Sequence, residues 1–398
     1  NSDYYSGEFP FFKPADLDAG RHVSEASEYL SDLGKSVSRI IPAQATAVCC
    51  IGSIGKCGFL DVEGATNQQI NSAIPYFNAL YQYFYMNTEF FTNQLRNSAS
   101  ATTISIVNKT KMESCYYPLA PLAEQQRIVD RIESLFAKLD EAKEKAQAVV
   151  DSFETRKAAI LHKAFTGELT AKWREEHGVG MDSWEKKSVG ELCISLKYGT
   201  AKKSDASGNV VVLRMGNLQQ GEIDWSDLAY SNDPDDIEKY KLFPGDVLFN
   251  RTNSAALVGK TAIYRGEHPA IYAGYLIKLD YDRDKIIGDY LNYALNSLDA
   301  KKYCNSVKTD GVNQSNINAK KIGAYSFNVP SIPEQEKILS VIQKLLSKEQ
   351  QAKEAAEAVL DQIDLMKKSI LARAFRGELG TNDPNEESAV GLLEKSIS

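Results

Sequence analysis

Residues 123–165 read AEQQRIVDRIESLFAKLDEAKEKAQAVVDSFETRKAAILHKAF, and parts of this stretch recur 210 positions later. Glu124-Gln125 is matched by Glu334-Gln335, and Ala164-Phe165 by Ala374-Phe375. A repeat of this length exceeds any solenoid unit, so each copy should be a module with its own core and its own helix. The sequence therefore predicts an internally duplicated chain.

Apolar residues in both copies recur at alternating steps of four and three, as in the seam of a coiled coil. We expect the first helix to run from about Ala123 to Phe165. Matching seams should bury each other, and pseudo-two-fold symmetry favours an antiparallel pair. The predicted seam comprises Ile128, Ile132, Leu135 and Leu139, then Ile338, Ile342, Leu345 and Val359, with Ala352 in line and Glu349 as a polar exception.

The blocks outside the helices mix short apolar runs with Gly, Asn and Ser, which predicts mixed domains. Strands are expected at 45–51 and 104–107, and a buried helix at 73–91. The predicted fold class is α/β (α+β), with two globular mixed α/β domains separated by two long helices that form an antiparallel coiled coil. The predicted boundaries are 1–120 (first domain), 121–180 (first helical region), 181–330 (second domain), 331–380 (second helical region) and 381–398 (a C-terminal tail, disordered over 381–388).

Composition narrows the functional classes. The net charge of −7 argues weakly against a nucleic-acid partner, because phosphate contacts usually need a basic surface. No apolar run could span a membrane and no signal peptide opens the chain, so we expect a soluble, cytoplasmic protein. The six cysteines lack paired C-x-x-C spacing and the four histidines are scattered, so no metal site is expected. Gly259-Lys260-Thr261 is not a phosphate-binding loop, because Ser254 replaces its first glycine.

Segments flanking the helices carry a family resemblance. Residues 118–125 (PLAPLAEQ) and 164–174 (AFTGELTAKWR) resemble the first conserved region of type I restriction-modification specificity subunits. Residues 330–335 (PSIPEQ) and 369–379 resemble the second, and the likeness covers essentially the whole chain.

The resemblance implies a subunit without catalytic activity, whose two target recognition domains each read half of a split double-stranded DNA sequence. It implies docking of two methyltransferase (M) subunits and of restriction/motor (R) subunits. S-adenosylmethionine, ATP and magnesium are expected only on those partners. The second domain opens with a lead-in at 184–192 that the first domain lacks, so we expect the N-terminal edge of the first domain to be missing.

The residues alone leave two alternatives open. A coiled-coil adaptor could organise a protein complex without binding DNA, and steep loss of duplex affinity with salt would separate it from a DNA reader. An enzyme with a fused nuclease or methylase domain is disfavoured, because the sequence contains no catalytic motif for either.

Side chains with paired donors or donor–acceptor forks read base edges, and Lys, Ser and Thr hold phosphates. Clusters of such residues predict DNA contacts from Ser53, Lys56, Asn67, Gln68, Gln69, Asn71, Thr102 and Thr103 in the first domain, and from Arg214, Asn217, Arg251, Thr252, Asn253, Lys260, Lys308, Asn313 and Gln314 in the second. The alternative for the amides of 67–71 is that they cap turns. The alternative for Lys56 and Lys260 is an ordinary solvated lysine. Lys157 and His162 are predicted to face solvent or a partner.

Overall fold

The structure is a computed structural model that describes residues 2–99, 105–312, 314–386, 388–391 and 394. The contacts divide the chain into two compact units, Asn1–Ala148 with Ala356–Ser398, and Val149–Ala355. The long helices contribute residues to both units.

The first unit combines two small sheets with short helices and one long helix. The sheets have the strand orders β2-β1-β5 and β4-β3-β6; β1 runs parallel to β5, and the other pairs are antiparallel. The elements are β1 (Tyr5–Phe12), β2 (Glu28–Leu30), α1 (Asp32–Val37), β3 (Thr46–Cys49), β4 (Cys57–Phe59), β5 (Ala65–Thr66), β6 (Ile70–Ala73), α2 (Ala79–Met86), α3 (Glu89–Ser98), α4 (Lys109–Glu113) and α5 (Leu122–Asp151).

The predicted helix at 73–91 is wrong in extent. The side chain of Asn78 accepts hydrogen bonds from the backbone N–H groups of Leu80 and Tyr81 at 3.1 and 3.0 Å, so α2 begins at Ala79. Thr88 caps α3 in the same way. A side chain that caps a helix satisfies its first free N–H groups, and thereby divides the aromatic stretch into two helices.

The second unit is built around a four-stranded antiparallel sheet ordered β15-β13-β17-β8. Smaller sheets follow the orders β12-β9-β16, β14-β19-β18, β20-β7 and β10-β11. The elements are α6 (Phe153–Phe165), α7 (Ala171–His177), β7 (Glu185–Ser188), α8 (Val189–Leu192), β8 (Cys193–Tyr198), β9 (Val210–Leu213), β10 (Leu218–Gln219), β11 (Glu222–Ile223), β12 (Ala229–Ser231), α9 (Pro234–Lys239), β13 (Val247–Asn250), β14 (Thr252–Asn253), β15 (Thr261–Ile263), β16 (Ala270–Tyr272), β17 (Leu276–Tyr281), α10 (Gly288–Leu295), α11 (Leu298–Val307), β18 (Thr309–Asp310), β19 (Ser315–Asn316), α12 (Ala319–Gly323), β20 (Ser326–Val329) and α13 (Ile332–Ala374).

The duplication in the sequence recurs in local structure. Strands β3 and β13 are both buried along their whole length. The order α2-α3-α4 of the first unit is repeated as α10-α11-α12 in the second. Asn108 and Asn318 cap α4 and α12 by accepting from the backbone N–H three residues later, at 3.0 and 2.9 Å. The predicted α/β class with an internal repeat is confirmed.

A buried glutamine fastens each domain to the start of its long helix. Gln335 Nε2 donates to the carbonyls of Pro330 (2.9 Å) and Lys285 (3.1 Å), and its Oε1 accepts from Ile287 N–H (2.9 Å). Gln125 donates to the carbonyl of Ala120 at 2.8 Å and accepts from the N–H of Asn78 at 3.2 Å. Both glutamines have no exposed surface. This explains the repeated Glu-Gln pair, which the sequence marked only as the start of a helix.

The neighbouring Glu334 is the centre of a buried network. Its carboxylate accepts from Arg174 Nη1 and Thr170 Oγ1, each at 2.7 Å, and from Trp184 Nε1 at 2.9 Å. Glu334 is 1% exposed and Arg174 is 7% exposed. Because a buried charge needs both a counter-charge and hydrogen bonds, this network fixes the segment after α6 against the start of α13.

Within each unit the long helices pair antiparallel, as predicted. In the first unit, Ile128 near the start of α5 lies in the same core as Leu371 near the end of α13. In the second, Leu161 near the end of α6 shares a core with Ile342 near the start of α13. The predicted seam residues Ile128, Ile132, Ile338 and Ile342 are buried, and Leu135, Leu139 and Leu345 are partly buried.

The predicted seam of α13 is wrong at two positions. Val359 is 42% exposed, and the adjacent Leu360 is partly buried in its place. Ala352 is also exposed, whereas the ammonium group of Lys353 lies 5.0 Å from the centroid of the Phe153 ring. Hydrophobicity alone favoured Val and Ala, whereas in each case the longer side chain one position later is the more buried one.

Glu349, the polar residue in the predicted seam, forms an ion pair. Glu349 Oε2 accepts from Arg156 Nε at 2.5 Å, and both side chains are about one-third exposed or less. Arg156 Nη2 also donates to the carbonyl of Val149 at 3.1 Å, and the Ser152 hydroxyl donates to the same carbonyl at 3.3 Å. The predicted continuous helix is therefore interrupted at Ser152, because side chains occupy a carbonyl of the helical ladder.

The start of the tail is ordered, contrary to prediction. Both terminal nitrogens of Arg127 donate to the carboxylate of Glu386 at 2.7 Å, and Arg127 Nε donates to the carbonyl of Thr381 at 2.9 Å. Thr381 is 8% exposed. A bidentate Arg–carboxylate pair has a fixed geometry, so it holds residues 381–386 against α5.

Candidate nucleic-acid interface

The loop after β3 carries two of the predicted contacts, Ser53 and Lys56. Ile54 is buried and anchors the loop, which leaves Ser53 exposed. Gly55 has a φ of +89°, and a Cβ there would lie 2.6 Å from Thr92 Cγ2. Glycine is therefore required, and the loop keeps a fixed shape above a cavity of about 760 Å³. The Lys56 ammonium is already paired with Asp18 at 2.6 Å.

The amide side chains of residues 67–71 were predicted either to contact DNA or to cap turns, and the structure contains examples that suit each role. Asn67 Oδ1 accepts from the N–H of Gln69 at 3.1 Å, and its Nδ2 donates to Gln69 Oε1 at 3.0 Å. Asn71 Nδ2 donates to the sulfur of Cys50 at 3.3 Å. Asn67 and Gln69 hold the turn, which matches the turn-capping alternative, and Asn71 binds to the neighbouring strand segment from within β6. Gln68 is exposed, so its amide faces outward.

Two predicted contacts in the second unit are buried structural residues instead. Asn217 is 3% exposed; its Oδ1 accepts from Arg214 N–H, and its Nδ2 donates to the carbonyls of Asp224 and Asp227, all at 2.8–2.9 Å. Thr252 is 8% exposed and accepts from Asn316 Nδ2 at 2.8 Å. Polar side chains of these types fill their hydrogen-bonding capacity inside turns and sheets, which composition alone does not distinguish from ligand binding.

The two candidate arginines already have partners within the protein. Arg251 lies 4.7 Å from the ring centroid of Tyr198 and donates to the carbonyl of Gly274 and to Asn316 Oδ1, both at 3.3 Å. Arg214 pairs with Asp227 at 2.9 Å. Both arginines are partly buried, so a DNA group that contacts them would have to compete with these internal partners.

The remaining candidates lie near the surface. Asn253 Oδ1 accepts from the N–H of Ser254 at 2.8 Å. Lys308 Nζ donates to the carbonyl of Ala255 at 3.3 Å and lies 3.5 Å from Asp310. Gln314 is exposed. Thr102, Thr103 and Asn313 lie outside the described residues.

Lys260 occupies the place that Lys56 has in the first unit. It follows Gly259, whose φ is +91° and whose Cβ would lie 2.9 Å from Cys304 Sγ, so the same glycine-dependent loop is built twice. Lys260 Nζ donates to Gln219 Oε1 at 2.8 Å. The matching places predicted for Gly55-Lys56 and Gly259-Lys260 are thus structurally equivalent.

The sequence did not identify the β10–β11 hairpin as a candidate site. Gln219 and Gln220 are exposed at its tip, and Gln220 adopts a φ of +53° before Gly221 at +95°. Two positive φ values favour this tight turn, in which Gln220 is exposed, whereas the amide of Gln219 donates to the carbonyl of Gly216 and accepts from Lys260. The only advance signal was the Gln-Gln-Gly sequence. Lys157, predicted to face solvent or a partner, is partly buried and lines a cleft with Lys260.

The structure offers no sign of a metal or redox site in its described part. There, no three His, Cys, Asp or Glu side chains converge as metal ligands. The six cysteines are free, and burial raises the pKa of the Cys304 thiol to about 11. No helix among the described residues is long and apolar enough to cross a membrane.

Comparisons with known proteins identify the family to which this architecture is similar. The family model of the type I restriction modification DNA specificity domain matches residues 1–150 and 181–358. The chain is 25% identical over 385 residues to the type I restriction enzyme StySPI specificity subunit of Salmonella potsdam, and 26% identical over 390 residues to the EcoKI specificity subunit of Escherichia coli (strain K12). Each alignment covers 94% of this chain and 79% of the relative.

The fold is shared with a solved structure. The HsdS subunit from Thermoanaerobacter tengcongensis superposes with a TM-score of 0.65 and 19% identity, over 94% of this chain and 91% of that chain. The chain belongs to the type I restriction-modification DNA specificity family. It is a non-catalytic subunit that binds DNA, determines sequence specificity and assembles with other subunits.

Proposed function

We propose that the two domains of this chain each read one half of a bipartite duplex sequence. The observation that carries the proposal is the duplication of the whole local construction: the buried strand, the glycine-dependent loop with its lysine, and the glutamine that fastens each domain to its helix. Equivalent domains suit two half-sites, and their differing loop side chains suit different base sequences.

Exposed amides are the best base-reading candidates on each unit. Gln68 in the first unit and Gln220 in the second are exposed at turns next to cavities or clefts. Glutamine can form a bidentate pair with adenine, and such a contact discriminates against a wrong base by about 1–3 kcal/mol. The arginine and asparagine candidates with internal partners rank below them.

We infer that the catalytic steps belong to partners. Two methyltransferase subunits and restriction/motor subunits would assemble on this chain and would carry S-adenosylmethionine, ATP and magnesium. The family match and the relatives' names support the specificity role, and they disfavour an adaptor that binds no DNA.

The experiment is methylome sequencing of a host that expresses the chain with its partner subunits. Gln68→Ala should relax one base position in one half-site, and Gln220→Ala should relax a position in the other half-site. Gln350→Ala, on an exposed face of α13, is the matched control and should leave the motif unchanged. If Gln68→Ala and Gln220→Ala both affected the same half-site, the proposed division between the domains would be wrong.

A further inference from the structure

Three lysines line a single cleft in the second unit, with one carboxylate among them. Lys157 of α6, Lys260 of the glycine-dependent loop and Lys301 of α11 line one cleft of about 490 Å³, here called the lysine cleft. Among the described residues that line it, Glu154 is the one acidic side chain. No carboxylate in the described part of the chain forms an ion pair with any of the three ammonium groups.

The lowered pKa values of Lys157 and Lys260 indicate that their positive charges are unfavourable in the cleft without a bound anion. Burial lowers the pKa of Lys157; Glu154 opposes this shift, and the charge of Lys301 adds to it to a smaller degree. Burial and then Lys301 lower the pKa of Lys260 as well. Because like charges held together in a concave surface repel one another, a bound anion would stabilise the site.

The equivalent cleft of the first unit also carries three cationic side chains, Lys56, Arg96 and Lys368, but two of them lie beside carboxylates. Lys56 pairs with Asp18 at 2.6 Å, and Lys368 lies 3.9 Å from Glu89. Thr92 lines that cleft on α3, the counterpart of α11. The two clefts therefore differ in the pairing of their lysines, because none of the three lysines of the lysine cleft has an ion-pair partner among the described residues.

We propose that the lysine cleft binds a backbone phosphate of the DNA duplex and thereby sets the position of the second domain on its half-site. The inference rests on the proposed function. A phosphate oxygen would accept from the ammonium groups of Lys157 and Lys301, and from that of Lys260, which now donates to Gln219. The exposed Gln220 lines the same cleft, so a phosphate held there would bring the neighbouring bases to the hairpin tip.

Salt dependence provides the test. The affinity of the full chain for a fluorescent duplex of arbitrary sequence is measured by anisotropy between about 0.1 and 0.3 M salt. Loss of one phosphate contact reduces the slope of log affinity against log salt by about 1, so the advantage of wild type over Lys157→Gln or Lys301→Gln should shrink about threefold across that range.

Lys302→Gln is the matched control, because Lys302 neighbours Lys301 on α11 and is likewise exposed, but it does not line the lysine cleft and lies 4.0 Å from Asp299. It should keep the wild-type slope, and Lys301→Arg should restore it. Without DNA, Lys301→Gln should raise the Tm by relieving repulsion, which distinguishes it from a misfolded variant.

The outcomes separate the inference from the proposed function. If wild type binds duplex with steep salt dependence but the cleft variants have the slope of Lys302→Gln, the phosphate site is wrong and the proposed function stands. If those variants instead lose assembly with partner subunits, the cleft binds an acidic protein surface. A wild-type affinity that is insensitive to salt would reject the proposed function itself. Stabilisation of wild type by inorganic phosphate without any change in DNA slope would assign the cleft to free phosphate and overturn the DNA assignment.

Discussion

Replacing Gln335 with leucine should destabilise the second unit by about 2–4 kcal/mol. Leucine has a similar volume, so packing is largely kept while three hydrogen bonds are lost. The carbonyls of Lys285 and Pro330 and the N–H of Ile287 would lose their partner. A buried polar group without a partner costs about 1–3 kcal/mol, and removal of the buried amide itself offsets part of the sum.

Urea unfolding followed by tryptophan fluorescence measures this loss. The three tryptophans, Trp173, Trp184 and Trp225, all lie in Val149–Ala355, so the signal reports on the second unit. The control is Gln350→Leu, at an exposed position of the same helix, which should change the free energy of unfolding by less than about 0.5 kcal/mol. A loss for Gln335→Leu no larger than for this control would refute the role assigned to the glutamine.

Further expectations concern the helix pair and the tail. Ile342→Asp should cost several kcal/mol and abolish assembly with partner subunits, because it buries an unpaired charge, whereas the exposed Val359→Asp should change thermal stability little. The guanidinium of Arg127 holds the pKa of the Glu386 carboxyl below its ordinary value of 4.5. The stability difference between wild type and Glu386→Gln should therefore be constant above pH 4.5 and vanish as pH falls through the lowered pKa in thermal melts.

The architecture could be predicted because it rests on periodic and repeated signals. The constant offset between the Glu-Gln pairs predicted the duplication. The heptad spacing predicted the two long helices, and pseudo-two-fold symmetry predicted that they pair antiparallel. The details that failed depend on individual side chains. Apolar character alone does not predict that Val359 is exposed and Leu360 partly buried. The helix is interrupted at Ser152 because side chains occupy the carbonyl of Val149.

The candidate site was less predictable. A polar residue type indicates hydrogen bonding but not its partner, so Asn217 and Gln68 were indistinguishable before their burial was known. The lysine cleft depends on three segments distant in sequence, and no local pattern links Lys157 to Lys301. Loop glycines were more informative, because the positive φ at Gly55 and Gly259 marks equivalent positions.

Exchange of one domain tests the division of labour most directly. Residues 181–330 would be replaced by the corresponding segment of another specificity subunit, and the methylated motif would be sequenced in a host that supplies the partner subunits. The account predicts that one half-site changes to that of the donor while the other half-site is retained. A motif in which both half-sites change, or in which neither changes although the chimera is active, would contradict it.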